Sequence, residues 1–235
     1  MPKFTLIGLD ADDTLWHNER YYDEAQDRFV EMLSHYHPEA WIRERLYQTE
    51  TRNIQHFGYG IKAFVLSMIE TSVELTEGRV SGKDVGSLVD IARHMLSARV
   101  ELLDHVAESL PALSSSHRLV LITKGDLMDQ ENKLSRSGLG DYFETVEIVS
   151  QKNTAMYTRL LKKTSITAAE FLMVGNSLRS DILPVLEIGA NAVYIPYATT
   201  WQHEAADEPA AGTRGYFALD SFGQLPGLVS EIAEA

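Results

Sequence analysis

Phe4-Thr-Leu-Ile-Gly-Leu-Asp10-Ala-Asp12-Asp13-Thr14-Leu-Trp16 is the stretch from which the rest of the chain is read. A short apolar run, Phe4 to Leu9, has the length and composition of a buried strand, and it ends in three acids. Carboxylates so close together repel one another unless something positive lies between them. Strand alternation puts residues i and i+2 on one side, so Asp10 and Asp12 point the same way. The end of this strand is therefore a candidate meeting point for a cation and an anionic ligand.

Outward from Trp16 the chain becomes helical. Tyr22, Ala25, Phe29 and Leu33 recur at helical spacing, as do Ile42 and Leu46, then Ile61, Phe64, Val65, Met68 and Leu75, then Val85, Leu88, Ala92 and Met95. Breaks fall at Pro38, at Gly58-Tyr-Gly60 and around Gly78 to Gly82. Roughly four helices with no strand between them are expected to pack as a bundle.

After Leu103 strand-like and helix-like runs alternate. Strands are expected at 119–122, 145–149, 171–174 and 192–195, with helices at 126–137, 153–163 and 181–188. This alternation implies a parallel sheet with helices on both faces. Residues 205–215 read as a surface loop, and Phe217 to Leu228 as a last strand or turn and a helix. The expected fold is thus α/β: a Rossmann-like core from 1–15 and 100–235, and a helical cap from 16–99. An insert just after a strand's C-terminal end is a candidate lid, because open parallel sheets bind ligands at that edge.

Composition narrows the function. A chain of 235 residues can bury a sizeable core. A net charge of −13 argues against binding nucleic acid through its phosphates and against an anionic membrane surface. With no cysteine, disulfides, thiolate catalysis and cysteine-held zinc are excluded. The apolar run near the start is too short for a signal peptide and no stretch is long enough to span a bilayer, so the expected location is cytoplasmic.

Each core strand is followed by a residue with chemistry to offer: Asp10 and Asp12 after the first, Thr123-Lys124-Gly125 after the second, Lys152 after the third, and Gly175-Asn176 with Asp181 after the fourth. Singly, each has a plain structural reading, as turn acid, helix cap or solvated lysine. In a parallel sheet all four ends share one edge.

Together they resemble the four motifs of the haloacid dehalogenase (HAD) superfamily. That resemblance implies a sheet with the first strand central, flanked by the second and fourth, and a cap inserted after the first. It implies Asp10 as nucleophile, giving an aspartyl-phosphate, and Asp12 as the acid and base for the leaving oxygen and water. Mg²⁺ would be held by Asp10, Asp12, Asn176 and Asp181. Thr123 and the backbone at Lys124 and Gly125 would hold phosphate oxygens, and Lys152 would pair with Asp10 and the phosphate. Dehalogenases of the family lack the second acid, so Asp12 favours phosphate-ester hydrolysis of a small phosphorylated substrate. Alternatives are a non-catalytic binding or regulatory protein on the same scaffold, a phosphomutase and a haloacid dehalogenase.

The chain departs from the motifs at three places: Asn176 stands where an aspartate is usual, Lys124 where asparagine is, and Asn153 where proline often follows the lysine. An amide oxygen at 176 can ligate Mg²⁺ but brings no charge. His35-Tyr36-His37 is expected on the cap surface. Trp16-His17-Asn18, where the chain enters the cap, and Trp201-Gln202-His203, after the last core strand, are candidates to border the site or to pack.

Overall fold

The computed structural model describes residues 4–199, 201, 204–210 and 212–234. Gln202 and His203 of the stretch considered as a rim, and Ala211 of the expected loop, lie outside the described residues. The chain divides into two compact units: 1–19, 100–124 and 132–235 form the first, and 20–99 with 125–131 the second.

The first unit is built on a parallel sheet. Its strands are β1 (Leu6–Leu9), β2 (Arg118–Lys124), β3 (Thr145–Val149), β4 (Phe171–Gly175), β5 (Asn191–Tyr194) and β6 (Tyr216–Ala218), ordered β3-β2-β1-β4-β5-β6. Every pairing is parallel. This is the Rossmann-like α/β fold expected from the alternation, with β1 between β2 and β4. Strand order reverses at β1, which is where open parallel sheets place ligands.

The strands are apolar on both faces because both faces are covered. Ile7, Leu9, Leu119, Leu121, Leu172, Val174 and Val193 enter one core with Val106, Leu110, Leu225 and Val229. Leu6, Val120, Ile122, Phe171, Met173 and Ala192 face the opposite way, against Met156, Tyr157, Leu160 and Val185. Gly8 lies in the middle of β1 because a Cβ there would come within 2.9 Å of both Ile122 and Phe171. The chain leaves and re-enters this unit side by side: His17 N–H donates to the Glu101 carbonyl (3.0 Å) and Leu103 N–H to that of Leu15 (2.9 Å).

The second unit is helical: α1 (Glu19–Leu33), α2 (Glu39–Phe57), α3 (Ile61–Leu75) and α4 (Gly82–Ser97). Phe29, Leu33, Ile42, Leu46, Phe64, Met68 and Leu88 form its core. The breaks lie where the sequence places them. Pro38 caps α2, and Gly58 ends it at φ 72. Ser81 and Asp84 form a reciprocal capping box that starts α4. Asp126 groups with this unit, where it pairs with Lys62 at 2.9 Å.

Later helices are α5 (Val106–Ser114), α6 (Leu127–Ser137), α7 (Thr154–Thr164), α8 (Leu183–Glu187) and α9 (Leu225–Glu234). α5 is not among the helices expected from the sequence, because its Pro111 and the serines that follow resemble a turn. The expected helix at 181–188 is two pieces, a π-helical turn at Leu178–Ile182 and then α8. Among the described residues no helix is long and apolar enough to cross a membrane.

Candidate active site

The C-terminal ends of β1 and β4, with the start of α7, bring three buried charges together. Asp10 follows β1, its N–H donating to the Val174 carbonyl of β4 (2.9 Å). Lys152 lies between β3 and the Asn153 cap of α7. Its ammonium donates to Asp10 Oδ1 and, at 2.7 Å, to Asp181 Oδ1. The side chains of Lys152 and Asp181 are each 1% exposed, so this cluster lies out of water.

Burial pulls the Lys152 ammonium down, but the Asp10 and Asp181 carboxylates more than offset it and hold it above its ordinary range. Burial pushes the Asp181 carboxyl up, Lys152 opposes that, and the charge of Asp10 adds to it. The two acids thus raise the one cation they share, while burial outweighs that cation at Asp181.

Asp181 is seated by backbone geometry. Its Oδ2 accepts from Ser177 N–H (3.1 Å), and a Cβ on Gly175 would collide with its carboxylate and Cγ. The glycine of the fourth motif is thus required by the close approach of Asp181. Both Asp181 oxygens are engaged by protein donors, Lys152 and the Ser177 amide.

Asn176 meets Asp10 through Thr14. The Thr14 hydroxyl is 3.0 Å from Asp10 Oδ2 and 3.3 Å from Asn176 Oδ1, so a carboxylate and an amide oxygen converge on one small group. A donor set of oxygens alone suits a hard cation such as Mg²⁺. No group of three or more His, Cys, Asp or Glu able to hold a metal occurs among the described residues.

Asp12 turns elsewhere. Its carboxylate accepts from the Trp16 indole N–H (2.7 Å) and from Lys133 of α6 (3.1 and 3.2 Å), and Lys133 also donates to Asn18 Oδ1 (2.7 Å). Asp13 is structural. At φ 61 it accepts from Asn18 N–H (2.8 Å) and Glu19 N–H (3.0 Å), capping the start of α1. Burial, with the Asp12 charge second, raises its carboxyl to about 7.

Thr123 is buried at the end of β2, its hydroxyl 3.3 Å from the Lys124 carbonyl. The Lys124 side chain is directed to Glu204 and to the Ser180 hydroxyl (2.8 Å). Gly125, at φ 134, belongs to the second unit. The structure thus joins Asp10, Lys152 and Asp181 directly and Asn176 through Thr14, while Asp12 and Lys124 have partners of their own.

Thr14, Lys133, Ser177, Ser180 and Glu204 have no role that the sequence alone reveals. Thr14 alone carried a signal, four residues after Asp10 within the first motif. Trp16 is packed, and His17 Nδ1 lies 2.7 Å from the Tyr197 hydroxyl. His37 Nε2 lies 2.9 Å from the Leu75 carbonyl.

A haloacid dehalogenase-like hydrolase from Xanthomonas campestris superposes with a TM-score of 0.88 at 40% identity, over 99% of this chain and 93% of that one. The ribulose-1,5-bisphosphate 5-phosphatase of Halopiger xanaduensis is 26% identical over 239 residues, 96% of this chain and 99% of its own. The glyceraldehyde 3-phosphate phosphatase of Pyrococcus abyssi is 34% identical over 86 residues, a match spanning only 34% of this chain and 36% of that protein. The family model for haloacid dehalogenase-like hydrolases matches residues 4–189, and the chain belongs to that family of hydrolytic enzymes.

Proposed function

We propose that the chain is a Mg²⁺-dependent phosphomonoesterase that acts on a small phosphorylated metabolite through an aspartyl-phosphate on Asp10. The observation that supports this most is the buried Asp10–Lys152–Asp181 cluster at the sheet's switch point. Lys152 bonds Asp10 and aims it, as a nucleophile must be aimed, and Asp181 keeps Lys152 in place.

In the proposed reaction an Asp10 oxygen attacks phosphorus, an O–P bond forms, and the bond to the ester oxygen breaks. The Asp12 carboxyl gives its proton to that oxygen. It takes one from the water that then attacks phosphorus, releasing phosphate and restoring Asp10. Asp12 reaches the ester oxygen by turning from Lys133 and Trp16, which hold it in this structure. Thr123 and the amides at Lys124 and Gly125 receive phosphate oxygens, a preorganised arrangement worth about 3–4 kcal/mol per donor.

Asp10, the Asp12 carbonyl and Asn176 are the residues that would hold Mg²⁺. The ion when bound would neutralise charge between carboxylate and phosphate. Asp181 supports the site through Lys152, both its oxygens being engaged. The second acid, Asp12, is what favours phosphate esters over carbon–halogen bonds. Two of the related phosphatases act, by their names, on ribulose-1,5-bisphosphate and glyceraldehyde 3-phosphate, and we propose small sugar phosphates as the substrate class here. The helical segment 16–99 is proposed as the cap that selects it.

The test is turnover of p-nitrophenyl phosphate and a sugar-phosphate panel with Mg²⁺. Asp10→Asn should lower kcat at least about a thousandfold, as loss of a nucleophile does. Turnover that survives in Asp10→Asn refutes the mechanism.

A further inference from the structure

Beside the Asp10 centre the first unit holds a second charged cluster that the proposed reaction does not use. Lys124, at the end of β2, donates to Glu204 and to the Ser180 hydroxyl (2.8 Å). The same Glu204 carboxylate accepts from the Ser177 hydroxyl and from Ser180 Oγ (2.5 Å). One carboxylate thus collects an ammonium and two hydroxyls. The side chains of Lys124 and Glu204 are only 15% and 14% exposed.

The backbone that carries the donors is held by bonds that do not involve Glu204. Lys124 closes a strand paired with β3. Ser180 N–H donates to Ser177 Oγ (3.0 Å), and the Ser180 carbonyl accepts from the buried Tyr157 hydroxyl (3.0 Å). Glu204 instead comes from the irregular segment after β5, its N–H bonded to the Trp201 carbonyl (2.8 Å). One cation and two hydroxyls are the donor chemistry of a small oxyanion site, and here the Glu204 carboxylate fills it. Burial pushes the Glu204 carboxyl up, yet Lys124 and the two serines hold it below its ordinary range, so these donors favour a full negative charge.

We propose that Lys124, Ser177 and Ser180 form an anion-binding subsite for a tetrahedral oxyanion of the phosphate class, and that Glu204 is its internal occupant, displaced when the anion binds. Self-occupancy lowers apparent affinity by the fraction of molecules in which the site is open. A site closed about nine-tenths of the time therefore binds about tenfold more weakly than the same site opened by mutation.

Inorganic phosphate is titrated into the protein in excess EDTA, with tryptophan fluorescence, to which Trp201 contributes, and the thermal midpoint as readouts. Glu204→Ala should bind phosphate about tenfold tighter than the wild type and be stabilised by it in proportion. Adding Lys124→Met should abolish the gain, whereas adding Asp10→Asn should leave it intact. Equal affinity in the wild type and Glu204→Ala, or a gain that survives Lys124→Met, overturns the proposal. Should Glu204→Ala fail to fold, Glu204→Gln keeps the volume and the serine contacts; it should show a smaller gain, and no gain there overturns the proposal too. No turnover is measured, so a chain inactive on every phosphate ester still tests the subsite.

Discussion

Lys152→Met isolates the charge balance of the active site. In the folded protein one ammonium serves two buried carboxylates, Asp10 and Asp181. Without it the two acids, which share that one ammonium, repel each other; unit charges about 4 Å apart do so by about 4 kcal/mol at an effective dielectric near 20. Removing one partner of a buried pair costs about 3–5 kcal/mol in general, and we expect that loss at pH 8. Urea unfolding read by circular dichroism, extrapolated to zero denaturant, measures it. The loss should shrink at pH 5. Acids deprived of their cation have folded pKa values above their unfolded ones, so the variant loses stability as pH rises and regains it as pH falls. In the wild type the raised Asp181 carboxyl also favours the folded state as pH falls, so the shrinkage is the variant's excess gain, while the raised pKa of Lys152 keeps its stabilisation fully present below its ordinary value of 10.5. The double variant Lys152→Met/Asp10→Asn removes one of the two facing charges and should be more stable than Lys152→Met alone. A loss under about 1 kcal/mol at pH 8, the range of an exposed pair, or a double variant no more stable than the single, would refute the reasoning.

Other outcomes follow from single contacts. Glu50, buried in α2, is pushed up by burial from 4.5 to about 8. The native state then binds its proton more tightly than the unfolded chain, so stability should fall as pH rises from about 4.5 to about 8, by at most about 5 kcal/mol. Glu50→Gln should flatten that part of the stability–pH curve in thermal unfolding. Gly175→Ala forces a methyl into Asp181 and should lower kcat by about a hundredfold through misplacement of Lys152, with a smaller change in KM. Asn176→Asp adds a formal charge beside Asp10; the Mg²⁺ concentration for half-maximal activity should fall by about tenfold, since ligand charge tunes affinity. An unchanged or higher Mg²⁺ requirement would show that residue 176 does not ligate the ion.

The sheet was legible because its strands are short apolar runs ended by polar residues, and a parallel sheet buried on both faces demands that composition. The breaks of the helical segment were legible for the same local reason: Pro38, Gly58 and the Ser81–Asp84 box act within one turn of chain. α5 was not, since Pro111 and a serine tract read locally as a turn while the burial of Val106 and Leu110 makes a helix there. The split at 178–188 into a π-helical turn and α8 was also hidden. It brings Asp181 back over Gly175, a demand set by Lys152, twenty-nine residues away.

What the sequence determined by itself is the cast: an acid after β1, a hydroxyl after β2, a lysine after β3, and an amide and an acid after β4, all on one edge of a parallel sheet. Strand ends and residue types are local properties, and period and punctuation report them. Only the tertiary structure decided the pairings. It gave Asp181 to Lys152, Asp12 to Lys133 and Trp16, Asp13 to the start of α1, and Lys124 to Glu204. These partners are mostly far apart in sequence, and which acid takes which cation depends on burial and distance in the folded sheet. A linear pattern of charges does not contain that information.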